Sequence, residues 1–221
     1  MITTLQDLLV IVNRYYEILN GHFNFDSNGW PLFKNNDFLT EWPQDVITYD
    51  NRNSSIITSP KKEVVLCFFA GDKQNYRRFE GLERDMKTYH LYKAVAIPDI
   101  TLTQDMDIEL QNLIMLANQL FAAVLVYHDI KIVFNTRSPS SATNNNFIQV
   151  PRNIMCISGF LGCKNSSVLA TRYVNKILTL MPNKLIIYGK HDPYVDAQLD
   201  TLGISYRYYD DFHSRSKRRE K

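Results

Sequence analysis

The sequence predicts an α/β protein: a mostly parallel sheet of five to six strands with flanking helices, arranged as an open doubly wound sheet or an incomplete barrel. Two observations carry this. The candidate strands are apolar throughout rather than alternating: VVLCFFA (64–70), KAVAIP (93–98), IKIVFN (130–135), NIMCIS (153–158) and KLIIYG (184–189). Such runs suit strands covered on both faces, which is the environment of a parallel sheet. They also alternate with stretches of helical period, the rhythm of βα units.

Taken in order, residues 4–20 read as an amphipathic helix. Thr4 and Asp7 form a capping box, Leu5, Leu8, Leu9, Val12, Tyr15, Tyr16 and Leu19 line one face, and Gly21 ends it. From 21 to 60 the chain turns to Asn, Asp, Ser, Gly and Pro, punctuated by Trp30, Phe33, Phe38, Trp42 and Tyr49. That composition predicts an irregular segment pinned by aromatic anchors, with at most a short strand near Val46–Tyr49. Helices follow at about 76–90, at 105–127 with Thr103 as its cap, at 167–181 before Pro182, and at 194–202 before Gly203. ISYRYY (204–209) is the last strand. The link from Asn135 to Asn153 has no helical pattern and reads as an excursion loop with a small strand at 147–150. The expected organisation is 1–60 as a helix and aromatic segment packed on the core, 61–212 as the α/β domain, and 213–221 as a flexible basic tail.

Composition narrows the function classes. The chain has 221 residues, 45% of them hydrophobic and 12% aromatic, which argues against disorder. A formal charge of +2 makes it no polycation, so any nucleic-acid contact must come from a local patch. Cys67, Cys156 and Cys163 form no CxxC pair, which fits a reducing cytosol. The start lacks a basic n-region, and the most apolar window, Leu110–Tyr127, carries four amides and falls short of a membrane span. The expectation is a cytoplasmic protein of a bacterial cell with no membrane contact. The five histidines lack metal-ligand spacing, and no GxSxG motif supports a hydrolase triad.

In parallel α/β folds, ligands gather outside the carboxyl ends of the strands. The residues there are Gly71-Asp72-Lys73, Pro98-Asp99-Ile100-Thr101, Asn135-Thr136-Arg137, Ser158-Gly159 and Tyr188-Gly189. Asp72, Asp99 and Thr101 are the candidate catalytic residues, and Asp72 with Asp99 the candidate holders of a divalent cation. Asn135, Arg137, Ser158, Gly159, Gly162, Lys164 and Tyr188 are the candidate ligand-binding residues. SGFLGCKNSS (158–167) joins a strand end, two glycines, a lysine and a hydroxyl-capped helix start, the makings of an anion site, although it is neither a P-loop nor GxGxxG. The same residue types are also ordinary strand-end turn formers.

FFAGDKQNYRRFEG, YKAVAIPDITLTQDM, IKIVFNTR, NIMCISGFLGCKN and LIIYG together resemble a domain-of-unknown-function family widespread in phages and mobile elements of Gram-positive bacteria. The matching features are the acidic loop at Asp72, Pro98-Asp99-Ile100-Thr101, Ser158-Gly159 and Tyr188-Gly189. The third strand departs from the pattern, ending Phe134-Asn135 where the family usually reads Ile-Pro. The resemblance implies a phage or mobile-DNA setting and a shared rim, and no activity. Two functions follow as expectations. One is an α/β protein whose rim binds a nucleotide or nucleic acid, with metal assistance. The other is a non-catalytic protein that binds and inhibits a host defence protein through 21–60 and 136–150.

Overall fold

In the computed structural model the described residues are 2, 4–103, 105–136, 147–159, 177–178 and 180–219. Seven strands form one all-parallel sheet in strict chain order. They are β1 (Asp45–Thr48), β2 (Val64–Cys67), β3 (Ala94–Ala96), β4 (Ile132–Asn135), β5 (Met155–Gly159), β6 (Lys184–Tyr188) and β7 (Ser205–Tyr209). The helices among the described residues are α1 (Leu5–Leu19), α2 (Asp72–Glu80), α3 (Leu82–Tyr89), α4 (Ile108–Tyr127), α5 (Pro193–Thr201) and α6 (Phe212–Arg219). A sheet wound always in one direction never reverses its strand order, so the result is a nearly closed barrel rather than a doubly wound sheet.

The alternation of side chains along each strand separates two cores. One lies inside the barrel and draws on all seven strands: Val46, Val65 and Cys67, Ala94 and Ala96, Val133, Met155 and Ile157, Ile186 and Tyr188, and Tyr209. The other lies between the sheet and its helices, where Ile47, Leu66, Val95, Phe134, Cys156 and Ile187 meet the helical layer. Every strand residue from Val64 to Cys67 and from Ile132 to Asn135 is therefore buried, which is why these runs show no polar alternation.

The amino end of the barrel has a floor. Residues 38–46 pass beneath it, bridging to β4 at Phe38 and Ile132 and placing Leu39 in the inner core. Phe33 and Phe38 pack edgewise or tilted on Phe134, with ring centroids 5.4 and 5.5 Å away. The aromatics of 21–60 thus turn inward, with Phe33, Phe38 and Tyr49 buried. The partner-binding expectation had assigned them to a contact surface.

Several sequence expectations need correction. The domain boundary at 60 falls inside the barrel, because Asp45–Thr48 pairs in register with Val64–Cys67. The helix expected over 76–90 is two helices broken at Gly81, and the next is capped by Asp107, not Thr103. Residues 147–150 form a turn, with Val150 N–H donating to the Phe147 carbonyl, and no strand. Of the tail expected to be flexible from 213, the described residues to Arg219 continue α6, and Arg215 is tied to Asp45, while 220 and 221 lie outside the described residues. α4, at 20 residues, is long and apolar enough by composition to cross a membrane, contrary to the reading of a shorter window; 67% of its most apolar window is buried inside the protein. Most of the helix expected over 167–181 lies outside the described residues.

Candidate functional site at the carboxyl end of the sheet

Two neighbouring strand exits are stapled together. The chain leaves β2 at Phe68–Gly71 and enters α2, whose first residue is Asp72. An acid at this position suits the positive end of the helix dipole. Its Oδ1 accepts the Thr101 backbone N–H at 2.9 Å, from the loop that follows β3. One turn later Asn75, 1% exposed, donates through Nδ2 to the Ala70 carbonyl at 3.2 Å and the Asp99 carbonyl at 2.9 Å. Asp72 and Asp99 therefore stand at the same end of the sheet.

The axis of the barrel is sealed at this end by rings. Phe69 and Tyr188 stack with centroids 5.5 Å apart and planes 15° from parallel. Gly159 lies against them, and a Cβ there would fall 2.8 Å from the Phe69 ring. The Tyr188 hydroxyl accepts the Phe212 N–H at 3.0 Å. Burial pushes the Tyr188 phenol well above its ordinary range, so it stays neutral. Burial likewise pushes the Cys67 thiol up; the Phe69 backbone hydrogen bond opposes this and the nearby Asp99 carboxylate adds to it. A thiol so raised is no nucleophile.

What remains open lies to one side, over β3 and β4. The loop residues Ile97, Pro98, Ile100 and Leu102 form one wall of a pocket. Met115, Asn118 and Gln119 of α4 form another, and Asn135 with Phe147 completes it. The enclosed space is about 20 Å³, room for about one water molecule. Two of its polar atoms are buried without a hydrogen-bond partner among the described residues: Asn118 Oδ1 and Asn135 Nδ2. Their residues are 8% and 4% exposed. An unsatisfied buried polar atom costs about 1–3 kcal/mol, so two in one pocket require an account.

Of the residues singled out in the sequence, Asn135 is brought to this pocket. Asp72 and Thr101 act as the two halves of a loop staple, and Gly159 and Tyr188 serve packing at the barrel axis. Ser158 follows the inward Ile157 and so faces the outer side of the sheet, away from the axis. Arg137, Gly162 and Lys164 lie outside the described residues. Asp72 has one oxygen engaged by Thr101, and among the described residues no group of three potential metal ligands forms, so the pair offers no complete cation site there. Asn118 and Gln119 were missed as site residues. Their signal was present: two adjacent carboxamides in the middle of a largely apolar helix, flanked by apolar residues on both sides.

Residues 25–209 match the family described as Domain of unknown function (DUF4417), and the chain belongs to it. No curated protein and no solved structure matches the chain.

Proposed function

We propose that this protein is a ligand-binding α/β-barrel protein of a phage or mobile element, with its site at the β3–β4 strand ends and a nucleotide or nucleic acid as its ligand. The observation that supports the reading is the pair of orphaned amide atoms on Asn118 and Asn135, one acceptor and one donor, held in one small pocket. A ligand group carrying both a donor and an acceptor, such as the amide edge of a nucleobase or a sugar hydroxyl, satisfies both at once. The pocket's small volume limits what enters to such a group, with the rest of the ligand outside. The anionic part of the ligand is argued from the sequence alone, through Ser158-Gly159 and the glycine–lysine run that follows.

The test is thermal unfolding in the presence of nucleosides, nucleotides, oligonucleotides and divalent ions. A ligand that binds only the folded protein adds about 2.7 kcal/mol at a hundredfold excess over its Kd. Asn118→Leu separates site from scaffold, because it removes a buried acceptor and replaces it by an apolar group of similar size. The unliganded variant is expected to match or exceed the parent in Tm and to lose the ligand-induced rise. If no compound shifts the parent, or if Asn118→Leu and Asn135→Ala retain the full shift, the reading fails.

A further inference from the structure

The crossover from β1 to β2 is the one place among the described strand connections where the barrel is short of a helix and leaves a roomy cleft. Residues 49–63 form two single turns of 3₁₀ helix joined by irregular chain. Helical crossovers cover the outer face of a parallel sheet, but this one arches over it instead. Beneath the arch is a cleft of about 310 Å³, within the range of small-molecule sites. Its floor is the outward side of β1 and β2 at Ile47 and Val64, and Tyr92 forms a wall.

The polar lining has one sign. Among the described residues, Arg52 and Lys61 are its only charged members and no carboxylate lines the cleft, while Asn53, Ser54 and Ser59 add an amide and two hydroxyls. Arg52 is held rather than loose. Its guanidinium carbon sits 3.9 Å from the centroid of the Tyr49 ring, and Nη1 donates to the Tyr49 carbonyl at 2.8 Å. That bond uses one of five N–H donors, and the planar fork is positioned before any ligand arrives. The Lys61 ammonium stands 5.7 Å from the Tyr92 ring centroid, so the second cation and the aromatic wall adjoin.

We propose that this cleft is a second ligand site, separate from the one at the strand ends, and that it takes a phosphate monoester bearing a planar apolar group. Arg52 and Lys61 would hold the phosphate, with the serine hydroxyls donating to its remaining oxygens. The planar group lies against Tyr92 over the apolar floor. Two cations match the two charges that a phosphate monoester carries above its second pKa of about 6. The chemistry selects against the parts alone. Free phosphate makes no use of the apolar side of the cleft, where Ile47, Val64 and Tyr92 are already largely buried, and a neutral aromatic alcohol makes no use of the two cations.

Calorimetric titration of the full chain with phenyl phosphate tests this, with inorganic phosphate and phenol as the dissected halves. Phenyl phosphate is expected to saturate the protein one-to-one, inorganic phosphate to bind more weakly, and phenol not to bind. Affinity should rise as pH is raised through about 6 and fall with added salt. Lys61→Glu and Arg52→Gln are each expected to weaken phenyl phosphate by about tenfold or more, the loss of one strong charged contact. Since Arg52 also packs on Tyr49, Ser59→Glu provides a variant at a half-buried position that places a repelling charge at the cleft and should weaken binding equally. Asn118→Leu, in the other pocket, should leave binding unchanged. Absence of saturation in the parent, or phenyl phosphate affinity unaltered by Lys61→Glu and Ser59→Glu, overturns the proposal.

Discussion

Two seams of the barrel are held by different means. Between β5, β6 and β7 the backbone does the work: five register pairs join each neighbouring couple, from Met155↔Lys184 to Tyr188↔Tyr209. Between β7 and β1 no ladder forms among the described residues, and side chains span the gap. Arg215 of α6 grips Asp45, the first residue of β1, in a two-pronged contact of 2.8 and 2.5 Å. The Tyr209 hydroxyl donates to the Pro43 carbonyl at 2.8 Å, Lys184 Nζ donates to the Thr40 carbonyl at 2.6 Å, and Arg207 lies 4.8 Å from the centre of the Trp42 ring. The end of β7 meets the beginning of β1, the stagger that tilted strands require when a sheet curls on itself. An open parallel edge is an aggregation hazard, and here the floor segment and the C-terminal helix cover it.

The comparison breaks most readily at its two strongest points. Ile186 is fully buried inside the barrel on the ladder side, and Ile186→Ala is expected to cost about 3–4 kcal/mol, within the range for core deletions. Arg215→Ala attacks the side-chain seam. The two side chains are 16% and 15% exposed, so the loss is expected at about 2–3 kcal/mol, below that of a fully buried pair but well above a surface ion pair. Urea unfolding of both variants, with the Asp45→Ala and Arg215→Ala double-mutant cycle, measures this. A coupling energy near zero would show that the Arg215–Asp45 pair does not hold the seam and that its hydrogen bonds and packing do.

A smaller effect sharpens the same comparison. Tyr209→Phe keeps the ring in the inner core and removes the hydroxyl, with its contact to Arg207 and its hydrogen bond to the Pro43 carbonyl, so about 1 kcal/mol is expected. Because that bond crosses the open seam, its loss should raise amide exchange in residues 44–48 more than in β5 or β6. Equal protection changes across the sheet would mean that the two seams unfold as one unit.

The sequence made one seam legible and hid the other. On the ladder side β5 and β6 announce themselves as apolar runs, because both faces of the sheet are covered there, whereas β7 alternates, with Ser205 and Arg207 exposed. β1 shows itself only as the short strand read near Val46–Tyr49, because Val46 and Ile47 alone are aliphatic among its four residues, and nothing in that stretch says that it joins the sheet. Arg215 looks like part of a solvated basic run because the carboxylate that captures it is 170 residues away in the chain. The capping box of α1 was readable because both partners are local, Thr4 Oγ1 accepting from Asp7 N–H and Asp7 Oδ2 from Thr4 N–H. At the candidate site, Asn135 was readable as a strand-end residue. Asn118 was one of four amides in its apolar window, and only the packing of α4 on the strand ends singles it out as facing Asn135 in the pocket.

The smallest expected effect concerns how α6 is held in place to deliver Arg215. Asp211 precedes the helix, and its Oδ1 accepts the Ser214 N–H at 2.8 Å while Oδ2 accepts the Ser214 hydroxyl at 2.9 Å. Partial burial pushes the Asp211 carboxyl up, but the hydrogen bonds from Ser214, with the nearby His213, outweigh it and hold the group below its usual range. A carboxyl depressed in the fold contributes stability that is complete above its unfolded pKa of about 3.9 and is lost as pH falls through the lower folded value. Acidification from about pH 5 to below 4 should therefore loosen the start of α6 before the barrel itself unfolds. The Ser214 amide resonance and the exchange of α6 amides report it directly. Asp211→Asn can still accept from the Ser214 N–H but no longer titrates, so it should abolish the pH dependence of these signals while leaving the helix in place. If α6 loosens over the same acid range in Asp211→Asn, another carboxylate governs the seam, and Asp45, the partner of Arg215, is the next to examine.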